Sequence, residues 1–310
     1  MTTASQKNSP PAPVSRRRIG PVDVIFGANG GKYPDANFAS VVGSDSRAII
    51  DLPLVSREAP DDLERADVVL LTHVHEDHTA GLSLVANTPV HVHRADVEAI
   101  RSLEGYATSL GYSAEGIKAA CELATTKFHF SSRPDANSFE SGAIWDLGGV
   151  RIRAIHAPGH TAGHCVFLIE PDNIAFIGDI DLTGFGPYYG DMSSSLADFR
   201  STIAAVREIP AVCWVTSHHK GVVANRGTFL EMLGTFANAL ERRETALIEA
   251  MRSGPKTLED LVRQRFVYPK GYANEYVDDV ERRMISLHLD EFEREGRVFR
   301  EQAVYSLFGS

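Results

Sequence analysis

The sequence predicts an α/β chain with a helical C-terminal stretch, and three observations carry that expectation. Short apolar runs at 67–72, 150–155 and 211–216 have the length and character of strands buried on both faces. Between them, residues 95–125 carry apolar positions at helical spacing, among them Val97, Ile100, Leu103, Leu110, Ile117 and Cys121, and 196–209 reads the same way. From Thr228 onward the pattern turns helical, with Phe229, Met232, Leu233, Phe236 and Leu240 on one face. Strands alternating with helices, followed by helices alone, describe an α/β domain with an appendage.

In chain order, residues 1–19 are rich in Ser, Pro and Thr and end in Arg16, Arg17 and Arg18. They lack the apolar core of a secretory signal and read as a disordered tail. Strands are expected at 22–26 and 38–52, separated by the flexible Gly27-Ala28-Asn29-Gly30-Gly31. After the strand at 67–72 and the helical stretch at 95–125, strands return at 150–155 and 166–169. Pro171-Asp172-Asn173 makes a hairpin turn into a strand at 174–177. Beyond 211–216 the helices run to Gly254-Pro255, which breaks them, and resume at 258–266 and 276–295. The expected division is a tail at 1–19, a catalytic domain at 20–240 and a helical appendage at 245–310.

The bulk composition narrows the function. A chain of 310 residues, 43% hydrophobic and 23% charged, is that of a globular protein, and no apolar run reaches the about 18 residues of a membrane span. The net charge of −10 argues against nonspecific binding to nucleic acid or to an anionic membrane, both of which need a basic face. Cys121, Cys165 and Cys213 are too few and too scattered for a disulfide framework or a thiolate metal site, so a reducing cytoplasm is expected.

The chemistry is concentrated in Thr72-His73-Val74-His75-Glu76-Asp77-His78-Thr79, where four potential metal ligands follow directly on a buried strand. His73 and His75 are two apart, so in extended backbone they point the same way. Asp77 and His78 stand where the chain turns into a helix and can serve a neighbouring position. One short peptide can thus offer two ligands to each of two metals, with imidazole and carboxylate donors that suit zinc, iron or manganese. Three further segments repeat the grammar of an apolar strand and then a ligand: His156-Ala157-Pro158-Gly159-His160-Thr161-Ala162-Gly163-His164, Gly178-Asp179, and Ser217-His218-His219. A carboxylate buried at a strand end is costly unless a cation meets it, so Asp179 is expected to face one. Strand carboxyl ends are also where open α/β sheets gather their sites.

The pattern His-x-His-x-Asp-His, then Pro-Gly-His-Thr, Gly-Asp and Ser-His, resembles the metallo-β-lactamase superfamily over roughly residues 20–225. The resemblance implies an αββα sandwich with metals at the edge between its sheets, here followed by a helical, winged-helix-like appendage. It implies two divalent ions, zinc first, with iron or manganese as alternatives. Carried over residue by residue, His73, His75 and His160 would hold the first metal, Asp77, His78 and His218 the second, and Asp179 would bridge. His219 competes with His218, and the family register favours His218. Relatives with a single iron use only the first site, and the flavodiiron branch carries an acid where His75 stands; with both sets present, hydrolysis is favoured over redox chemistry.

The expected activity is hydrolysis of an ester, thioester or lactone by a hydroxide held between the metals, with Asp77 orienting that nucleophile and relaying its proton. The branch suggested is that of glyoxalase II and the lactonases, although the basic glutathione-binding cluster of the former is not evident. Alternatives are a phosphodiesterase or nuclease, which would need a basic groove, and a metal-bound binding protein without turnover. Phe185, Tyr188 and Tyr189, shortly after Asp179, are expected to contact a small-molecule substrate, with Asn29, Lys32 and Tyr33 as weaker candidates. His156 and His164 bracket the Pro-Gly-His turn and are candidates to orient ligands. His91, His93, His129 and His288 are expected to be structural. Apolar faces around Leu258, Leu261, Phe266, Met284, Leu287, Leu289 and Phe292 must pack on the catalytic domain or on a second subunit in a homodimer.

Overall fold

The computed structural model describes residues 14–308. The first sheet runs in chain order through Arg16–Ile19, Val22–Ile25, Phe38–Val42, Arg47–Ile50, Val68–Leu70, Val90–His93 and Asn137–Phe139. Its first four strands pair antiparallel and its last four parallel. The second sheet comprises Ile144–Asp146, Arg151–His156, Cys165–Glu170, Ile174–Phe176, Cys213–Val215 and Val222–Val223. The pairing of Ile174–Phe176 with Cys213–Val215 is parallel and the rest antiparallel.

Side-chain alternation explains why these strands read as unbroken apolar runs. Ala48, Ile50, Val68 and Leu70 point into the layer between the sheets, where they meet Phe167, Phe176 and Val215. Their neighbours Ile49 and Val69 point outward against Leu63, Val97 and Ile100. Likewise Cys165, Phe167 and Ile169 face inward while Val166 and Leu168 face Phe199, Phe229, Leu233 and Phe236. Trp214 stacks on Phe229 with centroids 4.1 Å apart and planes 5° from parallel. Both faces of both sheets are therefore buried, and the layers run helix, sheet, sheet, helix.

Two expectations are corrected. Arg16–Ile19, expected in the tail, is an edge strand hydrogen-bonded to Val22–Ile25, because Gly20 takes a positive φ of 52° that turns the chain back. Residues 1–13 of that expected tail lie outside the described residues. The appendage, expected to be helical and winged-helix-like, sets a small sheet of Lys256–Thr257, Val298–Glu301 and Val304–Leu307 beside the helices Leu258–Val262 and Val277–Arg294. The expected boundary at 240–245 falls inside one helix, Arg226–Arg252. Along that helix Phe229, Leu233, Phe236 and Leu240 face the sandwich, and Leu247 and Met251 face a separate cluster with Leu261, Ile285, Leu289 and Phe292.

The helical stretch at 95–125 is broken into Val97–Arg101, Leu103–Leu110 and Ala114–Thr126. Ser102 and Ser113 supply the caps by accepting from the Gly105 and Gly116 amides. Among the described residues no helix is long and apolar enough to cross a membrane.

Candidate metal centre

Four chain turns, each at the end of a sandwich strand, converge at one edge between the sheets. Val68–Leu70 leads into His73, His75, Asp77 and His78; Arg151–His156 into His160; Ile174–Phe176 into Asp179; and Cys213–Val215 into His218. Two glycines permit the approach. Gly159 has φ 128° and a Cβ there would lie 2.4 Å from the Phe199 backbone; Gly178 has φ 56° and a Cβ would lie 2.4 Å from His164 Nε2. Any larger residue at either position meets strain and collision together.

The first cluster is a triangle of ring nitrogens. His73 Nε2 lies 3.1 Å from His75 Nδ1, His160 Nε2 lies 3.2 Å from His73 Nε2, and His160 Nε2 lies 3.0 Å from His75 Nδ1. The outer nitrogen of each ring is already committed. His160 Nδ1 donates to the Tyr188 carbonyl at 3.0 Å, and His75 Nε2 to Asp191 at 2.7 Å. His73 Nδ1 donates to Thr72 Oγ1 at 3.0 Å, because that hydroxyl spends its own proton on Asp51. Each ring then turns its remaining nitrogen inward, and three such nitrogens about 3 Å apart can close on one cation. Ligands bonded tetrahedrally at about 2.0–2.1 Å have nitrogens separated by roughly 3.3 Å, close to the spacing seen.

The second cluster follows the same rule. His78 Nδ1 donates to Asp51 at 2.9 Å and His218 Nδ1 to the Gly31 carbonyl at 2.6 Å. The Nε2 atoms face carboxylates: His78 lies 3.0 Å from Asp179 Oδ1, and His218 lies 3.3 Å from Asp77 Oδ2 and 3.4 Å from Asp179 Oδ1. Asp179 Oδ2 lies 3.3 Å from His160 Nε2, so its two oxygens address different clusters. His78 Nε2 and Asp179 Oδ1 are both buried without a hydrogen-bond partner, which is the signature of donor atoms awaiting an ion. The donor set fits divalent metal in two groups, His73, His75, His160 and Asp179, and Asp77, His78 and His218.

Electrostatics separates the two groups. Burial, reinforced by neighbouring imidazoles, holds His73 well below its ordinary pKa and His160 at about 3, so both present neutral rings. Burial also opposes charge on His78 and His218, but the Asp179 and Asp77 carboxylates outweigh it and raise both well above the ordinary value. Asp179 is held well below its ordinary value: burial opposes ionisation, and His218, His78 and His160 overcome it. His75, opposed by burial, is raised to about 9 by Asp191. His73 and His160 thus offer lone pairs, whereas His75, His78 and His218 are held protonated by the carboxylates they face.

Several supporting residues escaped the sequence reading. Asp51, fully buried, accepts from the Thr72 amide and hydroxyl and from His78, bracing both clusters. It ends its own apolar strand, the signal that marked Asp179. Asp191 fixes His75 and takes hydrogen bonds from Tyr112 and Tyr188. Asp96 holds the His160 turn through Thr161 Oγ1 at 2.6 Å and the Gly163 amide at 2.7 Å. His164 accepts from the Asp179 amide at 3.1 Å and so orients it, whereas His156 donates to Ala162 and stacks on His93.

Of the remaining candidates, His219 faces Asp181 at 4.0 Å, turned from the carboxylates that His218 meets. Tyr188 lies edge-on to His75 and His160. Phe185 is part exposed beside a cavity of about 210 Å³ that it shares with Phe266, Val267 and Arg243. Tyr189 corrects its expectation as a substrate contact: it is fully buried beneath the appendage, its hydroxyl engaged by His288 and Arg243. Tyr33 donates to Glu76, while Asn29 and Lys32 stand in the preceding turn.

The family model for the metallo-beta-lactamase superfamily matches residues 42–219. The lactamase-like protein aptB of Emericella nidulans is 29% identical over 50% of this chain and 43% of its own length. An atrochrysone carboxyl ACP thioesterase of Paecilomyces divaricatus is 28% identical over 65% of this chain and 55% of its own. A protein of the same description from Pseudocercospora fijiensis is 23% identical over 88% and 75%. The chain thus spans about half the length of the first two relatives and three quarters of the third. Among solved structures, a metallo-beta-lactamase family protein of Thermus thermophilus superposes with TM-score 0.65 at 21% identity, covering 88% of this chain and 93% of that one. A beta-lactamase domain protein of Burkholderia ambifaria gives 0.68 at 14% identity, covering 97% of each.

Proposed function

The chain belongs to the metallo-β-lactamase superfamily, and from that premise we propose that it is a metal-dependent hydrolase cleaving a carboxylic acid derivative, a thioester foremost. His73, His75 and His160 would hold one divalent ion, Asp77, His78 and His218 a second, and Asp179 would join them; zinc suits the donors best, with iron and manganese as alternatives. The observation that supports this reading is Asp179, buried at a strand end with one oxygen toward His160 and the other toward His78 and His218. The thioester preference is supported by relatives described as acyl carrier protein thioesterases.

The chemistry two such ions supply when bound is Lewis acidity and a water pKa lowered toward neutrality. The chain's own residues do the rest. Asp77 is kept ionised, since His78 and His218 outweigh the burial that opposes it, and its carboxylate can hold a water and accept its proton. Asp51, Asp191 and the Tyr188 and Gly31 carbonyls fix the tilt of His78, His75, His160 and His218, so that each ring turns its other nitrogen toward the cluster. All three cysteines are free, which fits a reducing cytoplasm.

The test is a substrate panel on metal-loaded protein: acyl thioesters, p-nitrophenyl esters, lactones and bis-p-nitrophenyl phosphate, with elemental analysis alongside. Thioester turnover with close to two equivalents of metal per chain is expected. Exclusive turnover of the phosphodiester would replace this reading with a phosphodiesterase. No turnover at full metal loading would leave a metal-bound binding protein.

A further inference from the structure

All but two of the chain's nine tyrosines, Tyr189 and Tyr305, fall in three groups that meet at Tyr276, which hydrogen-bonds Tyr33 and lies within electrostatic reach of Tyr268 and Tyr272. Tyr188 lies edge-on to His75 and His160, with centroids 6.2 and 5.6 Å away. Its hydroxyl meets that of Tyr112 at 2.9 Å, and both donate to Asp191. Tyr112 in turn stacks on Tyr276, centroids 5.6 Å apart and planes 13° from parallel. On the other flank Tyr33 and Tyr106 donate to the two oxygens of Glu76, at 3.1 and 2.7 Å.

The appendage supplies the outer end. Its segment at 263–276 is tied down by Glu281, a fully buried carboxylate that accepts the Phe266, Val267 and Tyr268 amides. From this anchored segment Tyr268 and Tyr272 stack at 4.9 Å and 14°, and Tyr268 leans on Phe185 of the sandwich at 5.6 Å. Tyr33 and Tyr272 remain 43% and 44% exposed, so the array has an open rim. Burial above all keeps the Tyr112 and Tyr188 hydroxyls protonated and pushes Tyr276 up to about 12, which leaves the rings uncharged.

We propose that this array is the acyl-binding wall of the enzyme and that Tyr272 and Tyr276, brought by the appendage, select a flat aromatic acyl group over an aliphatic one. The rings run from Tyr188, edge-on to the candidate ligand histidines, out to the near-parallel pairs Tyr112–Tyr276 and Tyr268–Tyr272, and their faces offer offset stacking to a planar ring system, whereas a flexible chain gains area but no stacking geometry. The appendage thereby reaches the site without contributing a metal ligand. This inference rests on the hydrolase reading, since it assigns the acyl side of that reaction.

The experiment compares wild-type, Tyr272→Ala and Tyr276→Leu proteins, full-length and metal-loaded. Turnover is measured on 2-naphthoyl and decanoyl thioesters of N-acetylcysteamine, and binding of 2-naphthamide and decanamide by calorimetry. The wild type is expected to favour the naphthyl member of each pair. In each variant that preference falls about five- to tenfold, the loss of one aromatic contact, and it falls in KM and Kd rather than kcat. Tyr272 is exposed, so that variant keeps its fold even if Tyr276→Leu does not. No preference in the wild type, or an unchanged preference in Tyr272→Ala, overturns the wall. Absence of thioester turnover with a naphthamide preference that Tyr272→Ala reduces would instead remove the hydrolase reading and leave the wall standing.

Discussion

Histidines and carboxylates converge twice in this chain, at the edge of the sandwich and where the appendage joins it, and the two convergences are neutralised in opposite ways. Glu244, His288 and Glu291 bring donor atoms within 4.8 Å of one another, as the candidate metal centre does. There, however, Arg200 pairs with both glutamates and Arg297 lies 3.7 Å from Glu244. The positive charge is built into the chain. Burial, with Arg200, Arg243 and Arg297 adding to it, lowers His288 to about 3, so its ring is neutral. At the sandwich edge Asp179 and Asp77, among the described residues, form ion pairs only with imidazoles. The lesson is that donor type and proximity do not define a candidate metal centre: the junction is neutralised by permanent guanidinium charge, the sandwich edge only by imidazoles, which can give up a proton to an incoming cation.

Four outcomes would sharpen or break that contrast. The largest effect is expected at Asp179→Asn. It should cost more than the about 10–100-fold in metal affinity typical of an outer partner, and should lower metal content at both clusters, read by elemental analysis after dialysis. Retention of two equivalents would break the comparison at its centre. Asp51→Asn comes next. Without its second anionic oxygen, the brace on His78 and Thr72 weakens, and a competition titration with a chromogenic chelator should show affinity reduced by about 10–100-fold.

At the junction the expected losses are in stability alone. Glu244→Gln removes a charged partner of Arg200 and should lower unfolding free energy by about 1.5 kcal/mol in urea titrations, with metal content untouched. Loss of a metal equivalent in that variant would mean the junction holds an ion after all. The smallest effect is the pH dependence of His288. Its folded pKa of about 3 lies below its ordinary 6.5, so the unfolded chain binds the proton first as pH falls. Its contribution is therefore intact above pH 6.5 and is lost on acidification toward 3, by roughly 1 kcal/mol between pH 6.5 and 5.5. His288→Gln should flatten the stability profile in that window. An identical slope in the variant would show that the ring does not titrate there.

Legibility differed sharply between these regions. The candidate ligands of the first segment could be read because a pair two residues apart, and another at a strand-to-helix turn, are set by local backbone geometry. The strands could be read because burial on both faces leaves an apolar run. Asp51 obeyed the same strand-end grammar but stands more than twenty residues from His73, so nothing local ties it to Thr72 and His78. The individual strands of the appendage, Val298–Glu301 and Val304–Leu307, could not be read because each is only four residues long and holds by pairing, with the other and, for Val304–Leu307, with the distant Lys256–Thr257. Tyr189 looked like a twin of Tyr188, yet alternation sends one ring toward the histidines and the other into the core.

By itself, the sequence determined the superfamily, the alternation of buried strands and helices, and the identity of the candidate donors, because each is written in spacing over a few residues. The tertiary structure decided the rest. It turned His218 rather than His219 toward Asp77 and Asp179, enlisted Asp51 and Asp191 as braces, gave Glu244 and Glu291 an arginine where Asp77 and Asp179, among the described residues, pair with imidazoles, and carried the appendage's tyrosines toward the sandwich. Each of these depends on which distant side chain arrives to meet a charge or a ring, and charge compensation and packing are properties of neighbours in space, not of neighbours along the chain.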